Sequence, residues 1–117
     1  MTMTATDPFR GEIWLADLNP VRGHDQAGKR PCLVVSVDLF NQSSAGLVIV
    51  LPVTTKSKGI RSHVCIDPPE AGIKETSYIK CEDVRSISTE RLTSRWGAVS
   101  SHTLTEVEDR LRILMGL

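Results

Sequence analysis

The sequence predicts a mainly β domain with some α: a small, strongly bent β-barrel with short helices outside and an amphipathic C-terminal helix. Three observations predict it. Short runs of apolar and β-branched residues alternate with turn signals along most of the chain. Near the end the period changes, and Leu104, Val107, Leu111 and Leu114 recur at helical spacing. A length of 117 residues, 40% apolar and 24% charged, suits one globular unit with one core. Many short strands and a single terminal helix bury their apolar faces most simply as a bent sheet with the helix packed outside.

Residues 1–9 carry no periodic pattern and read as a flexible N-terminal segment, which leaves 10–117 as one domain. "GEIWLADL" (Gly11 to Leu18) reads as the first strand, ended by Asn19-Pro20. "PCLVVSV" (Pro31 to Val37) is almost continuously apolar, the mark of a strand buried on both faces. "DLFNQSS" suggests one helical turn, and "LVIVLPVT" (Leu47 to Thr54) is the most apolar strand, with Pro52 expected near its end or at a bulge. "SHVCI", "SYIKC" and "VRSIS" read as three further short strands; Pro68-Pro69 and Gly72 break the path between the first two. "RWGAV" suggests another strand. In the tail, Ser101 or Thr103 is a candidate cap, and Glu106, Glu108 and Asp109 favour the N-terminal half of the dipole.

The 14 basic residues balance the 14 acidic ones, so the chain lacks the global positive field of simple electrostatic nucleic-acid binders, and any anion site is local. Cys32, Cys65 and Cys81 show no CxxC spacing; an odd count fits reduced, buried thiols. The start "MTMTATDPFR" lacks the apolar stretch of a signal peptide and no run is long enough to span a membrane, so the expectation is a cytoplasmic protein.

Two polar concentrations stand out. The loop "GHDQAGKRP", residues 23 to 31, joins the first two strands. Arg30 lies directly before Pro31, whose fixed φ and restricted neighbour hold the arginine extended as an anion clamp. Gly23 and Gly28 let the chain bend, so that His24, Asp25, Gln26 and Lys29 can close over a ligand. A solvated hairpin loop would have the same composition. The second concentration, "TTKSKGIRSH" from Thr54 to His63, holds Lys56, Lys58 and Arg61, no acid, and hydroxyls at Thr54, Thr55 and Ser57. Such groups suit phosphates, and a plain solvated turn is the alternative. In "YIKCED", Lys80 and Glu82 share one strand face opposite Cys81, the arrangement of a structural ion pair as well as of a site.

Other constellations are missing. His24, His63 and His102 are scattered, and no HExxH, Walker loop, GxGxxG or GxSxG occurs, so neither a metal nor a nucleotide cofactor is expected. Aromatic residues make up 4% of the chain, too few for an RRM-like stacking sheet.

The run "RGEIWLADLNPVRGHDQAGKRPCLVVS", Arg10 to Ser36, resembles the opening of the MazF/PemK (Kid) toxins of toxin-antitoxin systems. "LPVTTKSKG" resembles their third-strand motif, and the likeness continues weakly through "YIKCEDVRSIS" to "LRILMGL". The resemblance implies an SH3-like barrel, a homodimer, and a metal-independent, cofactor-free endoribonuclease that cuts single-stranded RNA at short sequences. It also implies a cognate antitoxin whose acidic tail fills the RNA groove. RNA supplies its own 2'-OH as nucleophile, so such a protein needs only proton transfer and charge stabilisation.

By that similarity Arg30 grips the non-bridging phosphate oxygens and Thr54 orients through its hydroxyl. An arginine is a poor base at neutral pH. In the Kid-like branch a loop histidine and an Arg-Cys-Asp triplet are implicated; here they correspond to His24 and to Lys80-Cys81-Glu82, so Glu82 is a further catalytic candidate. RNA contacts fall on Asp25, Gln26, Lys29, Asn41, Thr55, Lys56, Ser57, Lys58 and Lys80. The alternatives are a non-catalytic CcdB-like toxin that docks DNA gyrase through the apolar Leu111, Ile113, Leu114 and Met115, and a catalytically silent RNA-binding barrel.

Overall fold

Leu47–Thr54, the most apolar run of the sequence, becomes the strand around which the molecule is organised, β3. The structure is a computed structural model and describes residues 7–18 and 28–117. The other strands are β1 (Glu12–Asp17), β2 (Lys29–Val34), β4 (His63–Ile66), β5 (Ser77–Lys80), β6 (Arg85–Ser88) and β7 (Leu92–Ala98). Among the described residues two α-helices accompany them, α1 (Asp38–Asn41) and α2 (Ser101–Met115). No described helix is long and apolar enough to cross a membrane.

The strands pair in the order β4-β5-β3-β2-β1-β7, all antiparallel, and β6 joins β3 beside β5. One edge of β3 is therefore shared: Leu47 to Val50 pair with β6, and Val53 and Thr54 pair with β5. Pro52, which has no N–H to give a ladder, falls in the gap between these two partners. Among the described residues β4 and β7 end the sheet, so it is strongly bent without closing into a barrel.

Strands β1 to β3 are apolar on both faces because both are covered. One face gathers Ile13, Leu33, Leu51, Val53, Val64, Ile66 and Ile79 with Val107 of α2. The other gathers Trp14, Ala16, Cys32, Val34, Val48 and Val50, with Ile87 and Leu92 against them. Burying a side chain such as Val107, fully removed from solvent, contributes about 1.5–3 kcal/mol. The helical stripe docks by its first half only: Val107 is buried and Leu111 partly so, while Leu114 is exposed. Cys32 and Cys81 lie in the core, where burial pushes their thiols up to about 12 and about 11, so both stay protonated. Cys65, expected to be buried, is exposed on the short strand β4.

The cap of α2 is Ser100, one residue before the expected position; its hydroxyl accepts from the Thr103 N–H at 3.1 Å. Glu70 fixes this end further. Its Oε2 accepts from the Ser100 N–H at 3.0 Å and from the Thr103 hydroxyl at 2.6 Å, placing a carboxylate at the positive end of the helix. Glu70 belongs to a 3-10 turn, Glu70–Gly72, in the link from β4 to β5, and this turn leans on β7. Glycines permit that approach. A Cβ at Gly72 would overlap the Trp96 carbonyl oxygen, and one at Gly97 would come within 2.8 Å of the Ala71 carbonyl carbon. The turn thus bridges the open side of the sheet and brings β5 and β7 to the two flanks of one cleft.

Candidate active site

Arg30 and Thr54 meet because β2 and β3 share a register. Leu33 opposes Leu51 and Cys32 opposes Pro52; continuing by two residues sets Arg30 across from Thr54, on the sheet face that holds Cys32. The strand pair carries both to the mouth of one cleft of about 660 Å³. On the other side of Arg30 the first hairpin supports it, since Ala16 opposes Arg30 and the Leu18 N–H reaches the Gly28 carbonyl at 3.1 Å. Gly28 stands at φ +87, a backbone conformation that side chains disfavour.

Each of the two residues has bonding capacity in reserve. The Arg30 Nε is buried and has no hydrogen-bond partner among the described residues, which is uncommon for a charged donor, and the residue lines the cleft. The Thr54 Oγ1 accepts from the Lys56 N–H at 3.1 Å, which stiffens the loop after β3 and leaves the hydroxyl proton to be donated. Thr55, Lys56, Lys74, Glu75, Ser77, Arg95 and Trp96 complete the polar wall, and Pro31, Val53 and Ile73 the apolar one. Arg30, Lys56 and Lys74 line the cleft against the Glu75 carboxylate, while the fourth cation, Arg95, pairs with Glu12 at 3.1 Å, so the cleft is locally positive in a chain of zero net charge. It can hold an anion.

The remaining sequence candidates lie as follows. His24, Asp25 and Gln26 are outside the described residues. Lys29 is exposed at the start of β2, next to Arg30. Ser57 and Lys58 are exposed beyond Lys56 but do not line the cleft. Asn41 is buried: its amide donates to the Ser36 carbonyl at 2.9 Å and its side-chain oxygen accepts from the Ser36 hydroxyl, so its polar atoms serve the turn before β3. Lys80 forms an ion pair with Asp83 at 3.7 Å.

Glu82 does not reach the cleft. Its carboxylate accepts from Ser62 at 2.7 Å and meets the His63 Nε2 at 3.0 Å, at the far end of β4 and β5. Partial burial alone would raise the Glu82 carboxyl, but hydrogen bonds from Ser62, its own backbone and His63 hold it below the ordinary value. Asp83 is lowered chiefly by the paired hydrogen bonds from Arg85, both 2.9 Å.

Sequence reading missed Lys74, Glu75, Ser77, Arg95 and Trp96. They come from the β4–β5 link, the first residue of β5 and β7, segments brought to the cleft by the glycine seam rather than by proximity in the chain. The pair Gly72 and Gly97, each beside a short strand, was the available signal.

Comparison with known proteins identifies the family. Residues 9–115 match the model of the PemK-like, MazF-like toxins of type II toxin-antitoxin systems. Endoribonuclease MazF9 of Mycobacterium tuberculosis is 34% identical over 113 residues, covering 92% of this chain and 96% of that protein. Endoribonuclease EndoA of Bacillus subtilis is 32% identical over 109 residues, covering 92% and 94%. The crystal structure of MazF from Deinococcus radiodurans superposes with a TM-score of 0.80 at 29% identity, over 94% of this chain and 97% of that one. A MazE-MazF complex from the same organism gives 0.79 at 28% identity, over 95% and 97%. Arg30 and Thr54 in their positive cleft thus lie in a chain that belongs to the PemK-like, MazF-like toxin family of type II toxin-antitoxin systems.

Proposed function

We propose that this MazF/PemK-family endoribonuclease cuts single-stranded RNA in the Arg30–Thr54 cleft, without a metal, by attack of the RNA's own 2'-OH. The observation that carries the proposal is the buried Arg30 Nε, unpartnered among the described residues, in one cleft with a threonine hydroxyl that has a proton to give. A phosphodiester oxygen answers both. The 2'-oxygen attacks phosphorus and loses its proton, the bond to the 5'-oxygen breaks, and that oxygen takes up a proton as it leaves. The products are a 2',3'-cyclic phosphate and a 5'-hydroxyl. Arg30 meets the charge that grows on the non-bridging oxygens, where losing such a donor costs on the order of 3 kcal/mol, and Thr54 adds one neutral, orienting hydrogen bond of smaller effect.

His24 is assigned the 2'-OH proton, since an imidazole with its ordinary pKa of about 6.5 suits transfer near neutrality. Lys29, Thr55 and Lys56 hold flanking phosphates from the rim, and the loop residues Asp25, Gln26, Ser57 and Lys58 shape base preference. Cleavage of messenger RNA would then arrest translation and growth. A cognate antitoxin with an acidic tail suits the same positive cleft, and D. radiodurans MazF has been solved with MazE. The exposed apolar end of α2, with Ile113, Leu114, Met115 and Leu117, suits contact with a second copy in a homodimer.

The test is cleavage of a long single-stranded RNA in EDTA beside an all-DNA copy, with analysis of the new ends. Cuts at a recurring short sequence in the RNA alone, with cyclic phosphate and 5'-hydroxyl ends, are expected. An intact RNA would shift the weight to a gyrase-binding or silent-binder toxin, neither of which calls for Arg30 and Thr54 to share a cleft.

A further inference from the structure

Trp96 sits where a regular strand would not put it. Along the β1–β7 ladder Ile13 opposes Gly97 while the next residue, Trp14, opposes Arg95, so Trp96 is the extra residue of a β-bulge. A bulge breaks the in-out alternation and re-aims a side chain, and here both Arg95 and Trp96 line the Arg30–Thr54 cleft. The backbone at the bulge is fixed from the other side: Gly72 lies so close to the Trp96 carbonyl that no Cβ fits between them.

The chain's two tryptophans differ in kind. Trp14 is 5% exposed, its Nε1 donates to Glu12 Oε1 at 3.0 Å, and the Arg95 guanidinium lies 5.4 Å over its ring. Its faces and its polar atom are occupied. Trp96 is 39% exposed, on the wall of a positive cleft, in a chain with few aromatic residues. Leaving a large apolar ring half in water is unfavourable, and a flat partner would offset that cost.

We infer that the Trp96 ring is a stacking platform for the nucleobase adjacent to the phosphodiester held by Arg30 and Thr54. The inference rests on the ribonuclease proposal and adds to it a residue that positions the substrate. Unpaired bases present flat apolar faces, and any base stacks on an indole, so Trp96 supplies affinity and register rather than sequence choice. Only single strands can use it, because a duplex keeps its bases stacked on each other. The ring therefore contributes to selection against double-stranded RNA.

The test begins with the cut site mapped on a long RNA. A short RNA spanning it, made uncleavable by a 2'-deoxy sugar at the scissile nucleotide, then serves as the probe. Trp96→Ala is expected to weaken its binding about 5- to 150-fold, the range for deletion of a base-stacking ring, and Trp96→Phe to retain most of it. Replacing the flanking nucleotides one at a time by abasic riboses separates stacking from structure. At one position the missing base should cost the wild-type protein as much as Trp96→Ala does, and cost that variant nothing further. Trp96→Leu, which keeps an apolar side chain at the seam without the ring, gives the same comparison if Trp96→Ala proves unstable.

Equal abasic penalties in wild type and ring-less variants, with the wild type still cutting RNA, would overturn the role of Trp96 alone. A wild-type protein that neither cuts nor binds any RNA would overturn the ribonuclease proposal and this inference together.

Discussion

Two polar clusters in this molecule look alike in composition and differ in how their bonding groups are used. The Arg30–Thr54 cleft and the Ser62–His63–Glu82 cluster each combine a hydroxyl, a nitrogen base or cation and a place at the end of paired strands. Each also contains a buried nitrogen without a hydrogen-bond partner among the described residues, Arg30 Nε in one and His63 Nδ1 in the other. At Glu82, however, the carboxylate already joins Ser62 and His63, and the His63 side chain is 4% exposed. At Arg30 the neighbours are a threonine with a proton to give and, around an open cleft, Lys56 and Lys74, with Arg95 paired to Glu12. A cluster that satisfies its own charges holds strands together; one that leaves a cation facing a cavity holds a ligand.

Substitutions can break or sharpen this contrast. The largest effect is expected from Arg30→Ala: RNA cleavage should fall by at least about a hundredfold. Its melting temperature should hold or rise, because a buried unpaired N–H disappears. Loss of cleavage through unfolding would erase the distinction between the clusters. His24→Gln should cost about a hundredfold near neutral pH and flatten the acidic limb of the pH-rate profile; an unchanged profile removes His24 as the base. Thr54→Val should reduce cleavage about tenfold, through one lost hydrogen bond to the phosphate.

Glu82→Gln should act in the opposite sense, lowering the melting temperature by about 4 °C, as a loss of roughly 1 kcal/mol would, with cleavage per folded molecule little changed. A fall in the chemical rate of a fully folded Glu82→Gln protein would instead make the second cluster part of the site. Acid stability gives the finest discrimination. Glu82 and Asp83 have carboxyls held below their ordinary values, so their stabilisation is fully present above the unfolded pKa of about 4 and is lost as pH falls through the lower folded value. Asp83→Asn should flatten that acid limb of melting temperature against pH; Arg30→Ala should leave its slope unchanged.

The difference between the clusters also shows what a sequence can convey. β3 could be bounded at Leu47 and Thr54 because an uninterrupted apolar run stops where hydroxyls and lysines begin. Arg30, before Pro31, and Thr54, at the start of a polar stretch, are visible in the sequence, but only the family resemblance joins them as a pair; antiparallel pairing of neighbouring strands then brings them together. Asn41 was not legible, since a buried asparagine bonded to Ser36 and an exposed one have the same letter. Glu82 and His63 are 19 residues apart and meet only through the β4–β5 register, with His63 opposite Lys80. Trp96 was hidden more deeply. Its direction depends on a one-residue shift against β1, which is set by the packing of Gly72 and Gly97 and not by any local pattern.

The central claim is that the Arg30–Thr54 cleft works on the RNA's own 2'-hydroxyl. It is tested most directly by placing a single 2'-deoxy sugar at the mapped scissile nucleotide of an otherwise natural RNA, in EDTA, with wild-type protein. Cleavage at that bond should stop while the modified RNA still binds and still competes with uncleaved substrate, and Arg30→Ala should weaken that competition. Continued cutting at the deoxy position would contradict the claim, because the nucleophile would then have to come from water or from the protein.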